Sequence, residues 1–299
     1  MVAGELGPCF LCPRGCGVNR LEGEIGFCGA GTLMCVAKMA PHYWEEPCIS
    51  GTRGSGAVFF SGCNLRCVYC QNADISWQRK GRELTSSQLA HSFLSLQEQG
   101  VHNINLVTAA PYVPQVIEAL DQARGLGLNL PVVYNSSGYE SVETLKLLAG
   151  YVDVYLPDFK YVSASVSRRL SRADDYFPVV TAAIKEMLSQ IGPKPVFDTD
   201  GIITRGIVIR HLVLPGYLSE TRKVLTWIKA NVPRTVPVSL MAQYVPYHQA
   251  SLYPPLGRHL RPKEYDLALA AFFDLGLECG FAQEISAATT DFIPDWDAK

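Results

Sequence analysis

Nine of the ten cysteines of this 299-residue chain fall in its first 70 positions, at 9, 12, 16, 28, 35, 48, 63, 67 and 70, and Cys279 stands alone. Such crowding serves either disulfides or metal, and the compartment decides which. The opening MVAGELGPCF has neither the basic start nor the apolar stretch of a secretory signal. No apolar run approaches the ~20 residues of a membrane helix. The expectation is a soluble, cytoplasmic protein whose thiols are reduced and bind metal. Lys+Arg (26) nearly balance Asp+Glu (28), leaving a net charge of −2 and no polybasic surface for nucleic acid or anionic lipid. Hydrophobic residues at 48% allow a large core.

Composition divides the chain. Residues 1–56 are dense in Cys and Gly with little periodicity, as expected of an extension folded around metal. From 57 to 286 short β-rich runs alternate with amphipathic segments, and 287–299 reads as a loosely held tail. Strands are expected at Val58–Phe60, Ile104–Val107, Pro131–Asn135, Val152–Leu156, Gly206–Leu214 and Val236–Gln243. Helices fall between them, one starting at Thr85 or Ser86 and stopped by Gly100, another starting at Pro262 and stopped by Gly276. Six strand–helix repeats argue for an α/β fold of parallel units with right-handed crossovers. A doubly wound sheet and a partial barrel both satisfy that pattern.

After the first strand comes Cys63-Asn64-Leu65-Arg66-Cys67-Val68-Tyr69-Cys70, a C-x3-C-x2-C run. Three thiolates on one loop can hold three irons of a [4Fe–4S] cube and leave the fourth iron open for chemistry. Three structural cysteines would sit in apolar surroundings instead, which a Gly/Asn/Arg loop does not offer. Upstream, Cys9, Cys12, Cys16 and Cys28 form C-x2-C-x3-C-x11-C, enough for a complete four-thiolate site. Zinc and an auxiliary Fe–S cluster both accept that set, and ligand type does not separate them. Cys35 and Cys48 replace one member or stay free, and Cys279 is expected to be a buried core thiol.

The triad, its preceding strand and Tyr69 resemble the cluster-binding motif of the radical S-adenosylmethionine (SAM) superfamily. Gly62-Cys63-Asn64-Leu65, Ser136-Ser137-Gly138, Leu156-Pro157-Asp158-Phe159-Lys160, Leu214-Pro215-Gly216 and Tyr247-His248 follow the order seen in pyruvate formate-lyase-activating enzymes. The opening Cys9-Phe10-Leu11-Cys12-Pro13-Arg14-Gly15-Cys16 looks like the activating-enzyme-related branch of that group. The resemblance implies a partial (β/α)6 barrel with a Cys-rich N-terminal extension. It also implies SAM chelated to the open iron and split reductively to a 5′-deoxyadenosyl radical that abstracts hydrogen. The implied substrate is a protein or peptide, as in glycyl-radical activation, with an electron donor such as flavodoxin or ferredoxin. Modification of a small molecule by the same radical, and a non-catalytic electron-transfer or scaffold module, are the alternatives.

In parallel barrels, functional groups gather at the C-terminal strand ends. Activating enzymes carry Gly-Gly-Glu after strand two. Here Thr108-Ala109-Ala110 stands instead, leaving that SAM contact to Thr108. Asn135, Ser136 and Ser137 suit the ribose or carboxylate of SAM, or else cap the next helix. By resemblance, Asp158 orients SAM or holds a monovalent cation, with Lys160 near the charged end of SAM. A plain surface pair is the alternative. In Ile207-Val208-Ile209-Arg210-His211-Leu212, a buried Arg210 needs an anion to meet it, and a SAM carboxylate is one. Strand alternation sends His211 to the opposite face for packing. Gln243 and His248 follow strand six at the mouth.

Overall fold

The structure is a computed structural model and describes residues 6–289 and Trp296; the rest of the tail and residues 1–5 lie outside the described residues. In chain order the elements are β1 (Met34–His42), α1 (Pro47–Ser50), β2 (Ser55–Phe60), α2 (Ala73–Ser76), β3 (Arg82–Leu84), α3 (Ser86–Glu98) and β4 (Ile104–Val107). There follow α4 (Val113–Gly125), β5 (Val132–Ser136), α5 (Val142–Leu147), β6 (Val154–Pro157), α6 (Ala164–Ser171), α7 (Tyr176–Ile191) and β7 (Val196–Phe197). The chain continues through β8 (Ile203–Ile207), β9 (Ile209–Leu212), α8 (Leu218–Asn231), β10 (Val238–Met241), α9 (Pro262–Asp274) and β11 (Gly280–Ala282).

Local sequence explains the element ends. Thr85 and Gln88 close a capping box at the start of α3, and Gly100 at φ 80 follows its end. Ser141 caps α5 by accepting from the Thr144 N–H. Pro262 opens α9, where a missing N–H costs nothing.

Strand order resolves the choice between architectures. β2, β4, β5, β6 and β8 are hydrogen-bonded neighbours in chain order and parallel. A second sheet, β9-β10-β11, is parallel too. Asp158 bridges Arg210, and the Phe159 N–H donates to the Arg210 carbonyl at 2.7 Å, so the wall continues from β6 into β9. The order never reverses, which a doubly wound sheet would require. The fold is an α/β partial barrel whose expected fifth strand splits at Val208 into β8 and β9.

The extension also builds sheet. β1 runs antiparallel to β2 and carries β3 on its far side, a strand that the weak periodicity of this segment did not disclose. Alternation assigns the faces. Val58, Leu106, Tyr134, Tyr155 and Leu240 point outward into the main core beneath the helices. Val133, Val154, Leu156, Ile203 and Val208 point into the lumen, where Cys48 and Ile49 of α1 pack against them. Burying each such side chain contributes about 1.5–3 kcal/mol. The segment leading into α1 thus forms a floor to the barrel.

Candidate active site

The loop after β2 carries the three thiols onto the wall of a cleft of about 1210 Å³, its open mouth included. Gly62 makes the approach possible: it holds φ +90, and a Cβ there would lie 2.7 Å from the Cys28 carbonyl. The loop is fixed from both sides. The Arg66 N–H meets the Ser171 carbonyl at 3.2 Å and the Val68 N–H meets Leu170 at 2.9 Å. Arg66 Nη1 donates to the Cys63 carbonyl at 2.8 Å, and its Nη2 donates to the Phe27 carbonyl of the extension. Arg14 Nε donates to the Asn64 carbonyl at 2.8 Å, its guanidinium lying 3.9 Å over the Phe27 ring.

Each thiol of the triad has a polar neighbour. The Leu65 N–H donates to Cys63 Sγ at 3.4 Å. Cys67 Sγ lies 3.1 Å from Ser171 Oγ, and Cys70 Sγ 3.7 Å from Ser76 Oγ. Burial pushes all three thiols up, Cys70 to about 11, so they ionise only with a cation opposite. Among the described residues, no three Cys, His, Asp or Glu side chains converge tightly enough for a single metal ion. A cubane takes each thiolate at a separate corner, so an all-sulfur set on one wall suits a cluster rather than one ion.

The strand ends complete the cleft. Thr108, Asn135, Ser136, Ser137, Asp158, Lys160, Arg210 and Gln243 all line it with the triad. Thr108 sits at φ 61, a left-handed conformation that a β-branched residue adopts only when its surroundings impose it. Gly138, at φ +74, lets the turn after β5 pass within reach of the Asp158 carbonyl. Ser136 and Ser137 accept from the N–H groups of Gly138 and Tyr139 at 3.2 and 3.4 Å. The residue that caps the following helix is Ser141. His248 stands apart from the cleft, its ring 4.6 Å from Trp77.

Arg210 is the hub. Its Nε donates to Asp158 Oδ1 at 3.0 Å, Nη1 to Glu45 Oε2 at 2.9 Å and Nη2 to Asn135 Oδ1 at 2.5 Å. Lys160 Nζ meets the other Asp158 oxygen at 2.6 Å. These side chains are 12–19% exposed, so this is no surface pair. Burial opposes the Asp158 charge, but Lys160 and Arg210 outweigh it and hold the carboxyl below its ordinary range. Burial likewise opposes charging Arg210, and the facing carboxylates of Asp158 and Glu45 raise its pKa regardless. The anion that a buried Arg210 requires is therefore supplied within the chain, by Asp158 and Glu45. Of its five N–H groups, three are used. His211 faces outward as expected, bonded to the Phe159 carbonyl at 2.7 Å and Thr221 at 3.0 Å.

Glu45 was not foreseen. Nothing in its neighbourhood reads as periodic, and the floor it belongs to is defined only by the fold. The remaining thiols are dispersed. Cys9 is buried beside Leu6, Leu11 and Val18. Cys12 is half-buried, Cys16 exposed and Cys28 buried. The Phe27 N–H donates to Cys16 Sγ at 3.4 Å and Arg20 Nη2 to Cys28 Sγ at 3.7 Å. Cys35 and Cys48 are buried. Cys279, expected in the core, is exposed: it follows Gly276 and immediately precedes the short edge strand β11.

Comparison with known proteins agrees with this geometry. Residues 57–224 match the Radical SAM superfamily. The chain is 33% identical over 268 residues to the uncharacterized protein MJ0674 of Methanocaldococcus jannaschii, covering 87% of this chain and 73% of that one. It is 24% identical over 203 residues to the pyruvate formate-lyase-activating enzyme of Clostridium pasteurianum, covering 64% and 74%. Among solved structures it is similar in fold to native anSMEcpe with bound AdoMet and Cp18Cys peptide, at TM-score 0.50 and 14% identity. That likeness covers 74% of this chain but only 60% of the other, so the chain spans less than two thirds of that enzyme's length. No helix among the described residues is long and apolar enough to cross a membrane. The chain belongs to the radical SAM superfamily, whose members are enzymes that use a [4Fe–4S] cluster and SAM.

Proposed function

We propose that this protein is a radical SAM oxidoreductase that abstracts hydrogen from a protein or peptide substrate, in the manner of glycyl-radical activation. The observation that carries this reading is one cleft wall bearing Cys63, Cys67 and Cys70 opposite the paired charges of Asp158, Lys160 and Arg210. When bound, the cluster and SAM supply a 5′-deoxyadenosyl radical by reductive cleavage, the electron coming from a donor such as flavodoxin or ferredoxin. The chain's own part is to grip and to exclude. Cys63, Cys67 and Cys70 would hold the cluster. The free N–H groups of Arg210 would meet the carboxylate of SAM, with Thr108, Asn135, Ser136, Ser137 and Gln243 as further contacts, whereas His248, packed on Trp77 outside the cleft lining, would not reach it. Asp158 and Lys160 would orient its charged end, with Asp158 also able to hold a monovalent cation.

The wall behind the triad is the extension, whose Cys9, Cys12, Cys16 and Cys28 do not converge on a single ion such as zinc in this structure; we propose that they hold an auxiliary cluster, which takes each thiolate at a separate corner. N–H donors already aimed at Cys16 and Cys28 support thiolates at those positions. The peptide bound by anSMEcpe and the activating enzyme among the relatives support a polypeptide substrate. The test is anaerobic incubation of reconstituted, dithionite-reduced protein with SAM and candidate glycyl-radical proteins. An organic radical on the partner chain, seen by EPR with 5′-deoxyadenosine formed alongside, is expected. Product nucleoside with a silent spectrum for every partner would move the substrate to a small molecule. Intact cluster with no nucleoside would leave an electron carrier.

A further inference from the structure

The thiol of Cys67 ends a buried chain of hydroxyls. Ser171, the last residue of α6, sets its Oγ 3.1 Å from Cys67 Sγ and 3.0 Å from Tyr161 Oη. Tyr161 Oη in turn meets Tyr69 Oη. Ser171, Tyr161 and Tyr69 are all buried. Among the described residues, neither Tyr69 Oη nor Ser171 Oγ has a further partner. The other two thiols are served differently: Cys63 Sγ takes a backbone N–H at 3.4 Å, and Cys70 Sγ lies 3.7 Å from Ser76 Oγ. Of the triad, Cys67 thus has the closest donor, and among the described residues only that donor is backed by further hydroxyls.

The direction of the chain follows from proton counting. A thiolate on iron carries no proton and only accepts, whereas each hydroxyl has one O–H to give. Ser171 then gives its O–H to Cys67 Sγ, and its lone pairs receive the O–H of Tyr161. Tyr161 Oη, its own proton committed, receives that of Tyr69. In this order every O–H finds an acceptor. In the reverse order the Tyr69 O–H would point at no protein acceptor and the thiolate would lose its donor, and a buried group left unpaired costs about 1–3 kcal/mol. Three O–H dipoles therefore aim at one ligand sulfur, each polarising the next. Reduction adds negative charge to a cluster and its sulfurs, and hydrogen bonds to those sulfurs help to set the potential. Donors aimed at the sulfur favour the reduced form.

We propose that Ser171, with Tyr161 and Tyr69 behind it, raises the reduction potential of the cluster by hydrogen-bonding to Cys67. All three are positioning residues that act through that ligand, and the assignment rests on the reading above that Cys63, Cys67 and Cys70 hold a [4Fe–4S] cluster. An EPR-monitored redox titration of the anaerobically reconstituted protein, without SAM, tests it. Ser171→Ala should move the midpoint to a more negative value, the reduction equilibrium becoming about tenfold less favourable, which is about 59 mV for one electron. Tyr161→Phe keeps the ring and deletes only the hydroxyl; it should move the midpoint the same way by less, and Tyr69→Phe by less again. In deuterated buffer, ENDOR of the reduced protein should show an exchangeable deuteron coupling that Ser171→Ala removes. A midpoint unmoved or more positive in either Ser171→Ala or Tyr161→Phe, at full iron content, would overturn the assignment. So would a deuteron spectrum that Ser171→Ala leaves unchanged. Wild-type protein with no reducible cluster would overturn the reading of the triad itself, whereas an intact cluster with equal midpoints overturns this assignment alone.

Discussion

Cys63, Cys67 and Cys70 share a single cleft wall, whereas Cys9, Cys12, Cys16 and Cys28 range from buried to exposed within one short segment. Both sets have metal-ligand spacing. What separates them is what the fold sets opposite. The triad looks across at Lys160, Asp158 and Arg210 from the ends of β6 and β9, with room between. The upstream thiols look at their own loop, with Leu6, Leu11 and Val18 around Cys9. Spacing nominates ligands; the charges and space facing them assign the chemistry.

The contrast can be broken at several points. Cys67→Ala should remove the triad's iron and lower 5′-deoxyadenosine formation by orders of magnitude, as followed by iron analysis and chromatography of the nucleoside. Retention of activity would take the triad out of the mechanism. Arg210→Ala leaves Asp158 and Glu45 facing each other without their shared cation, so urea unfolding should show a loss of about 3–5 kcal/mol. SAM affinity should fall with the cluster retained; unchanged affinity would make Arg210 a purely structural hub.

A smaller effect comes from the outer face of the same strand. Burial lowers the His211 pKa to about 4 from an ordinary value of 6.5. Between those values the unfolded chain binds a proton that the folded chain refuses, so stability is present above 6.5 and lost as pH falls toward 4. The linked loss is about 3 kcal/mol. A His211→Gln protein should show a flatter melting-temperature profile between pH 7 and 5, and an unchanged slope would contradict the buried neutral imidazole. Smallest in activity is Cys12→Ala, expected to lose the metal proposed for the extension in elemental analysis while still cleaving SAM in part. Complete loss of cleavage would merge the two thiol sets into one functional unit.

Much of this was legible in sequence because the signals were local. Each of the six strands was announced by a short β-rich run, and the triad by its spacing. The need for an anion at Arg210 followed from one charged side chain inside an apolar strand. The partner was not legible, since Glu45 meets Arg210 from 165 positions away, out of a segment without periodicity. β1 was hidden for the same reason: its strand character comes from pairing with β2 and β3. Cys279 misled because burial was inferred from residue type, while β11 sits at a sheet edge.

The central claim is that three thiols leave one iron free for SAM. EPR of the anaerobically reduced protein, recorded before and after adding SAM, addresses it most directly. A reduced [4Fe–4S] signal whose g-values shift on addition is the expected result, abolished in Cys67→Ala. A spectrum that SAM leaves unaltered would contradict the account.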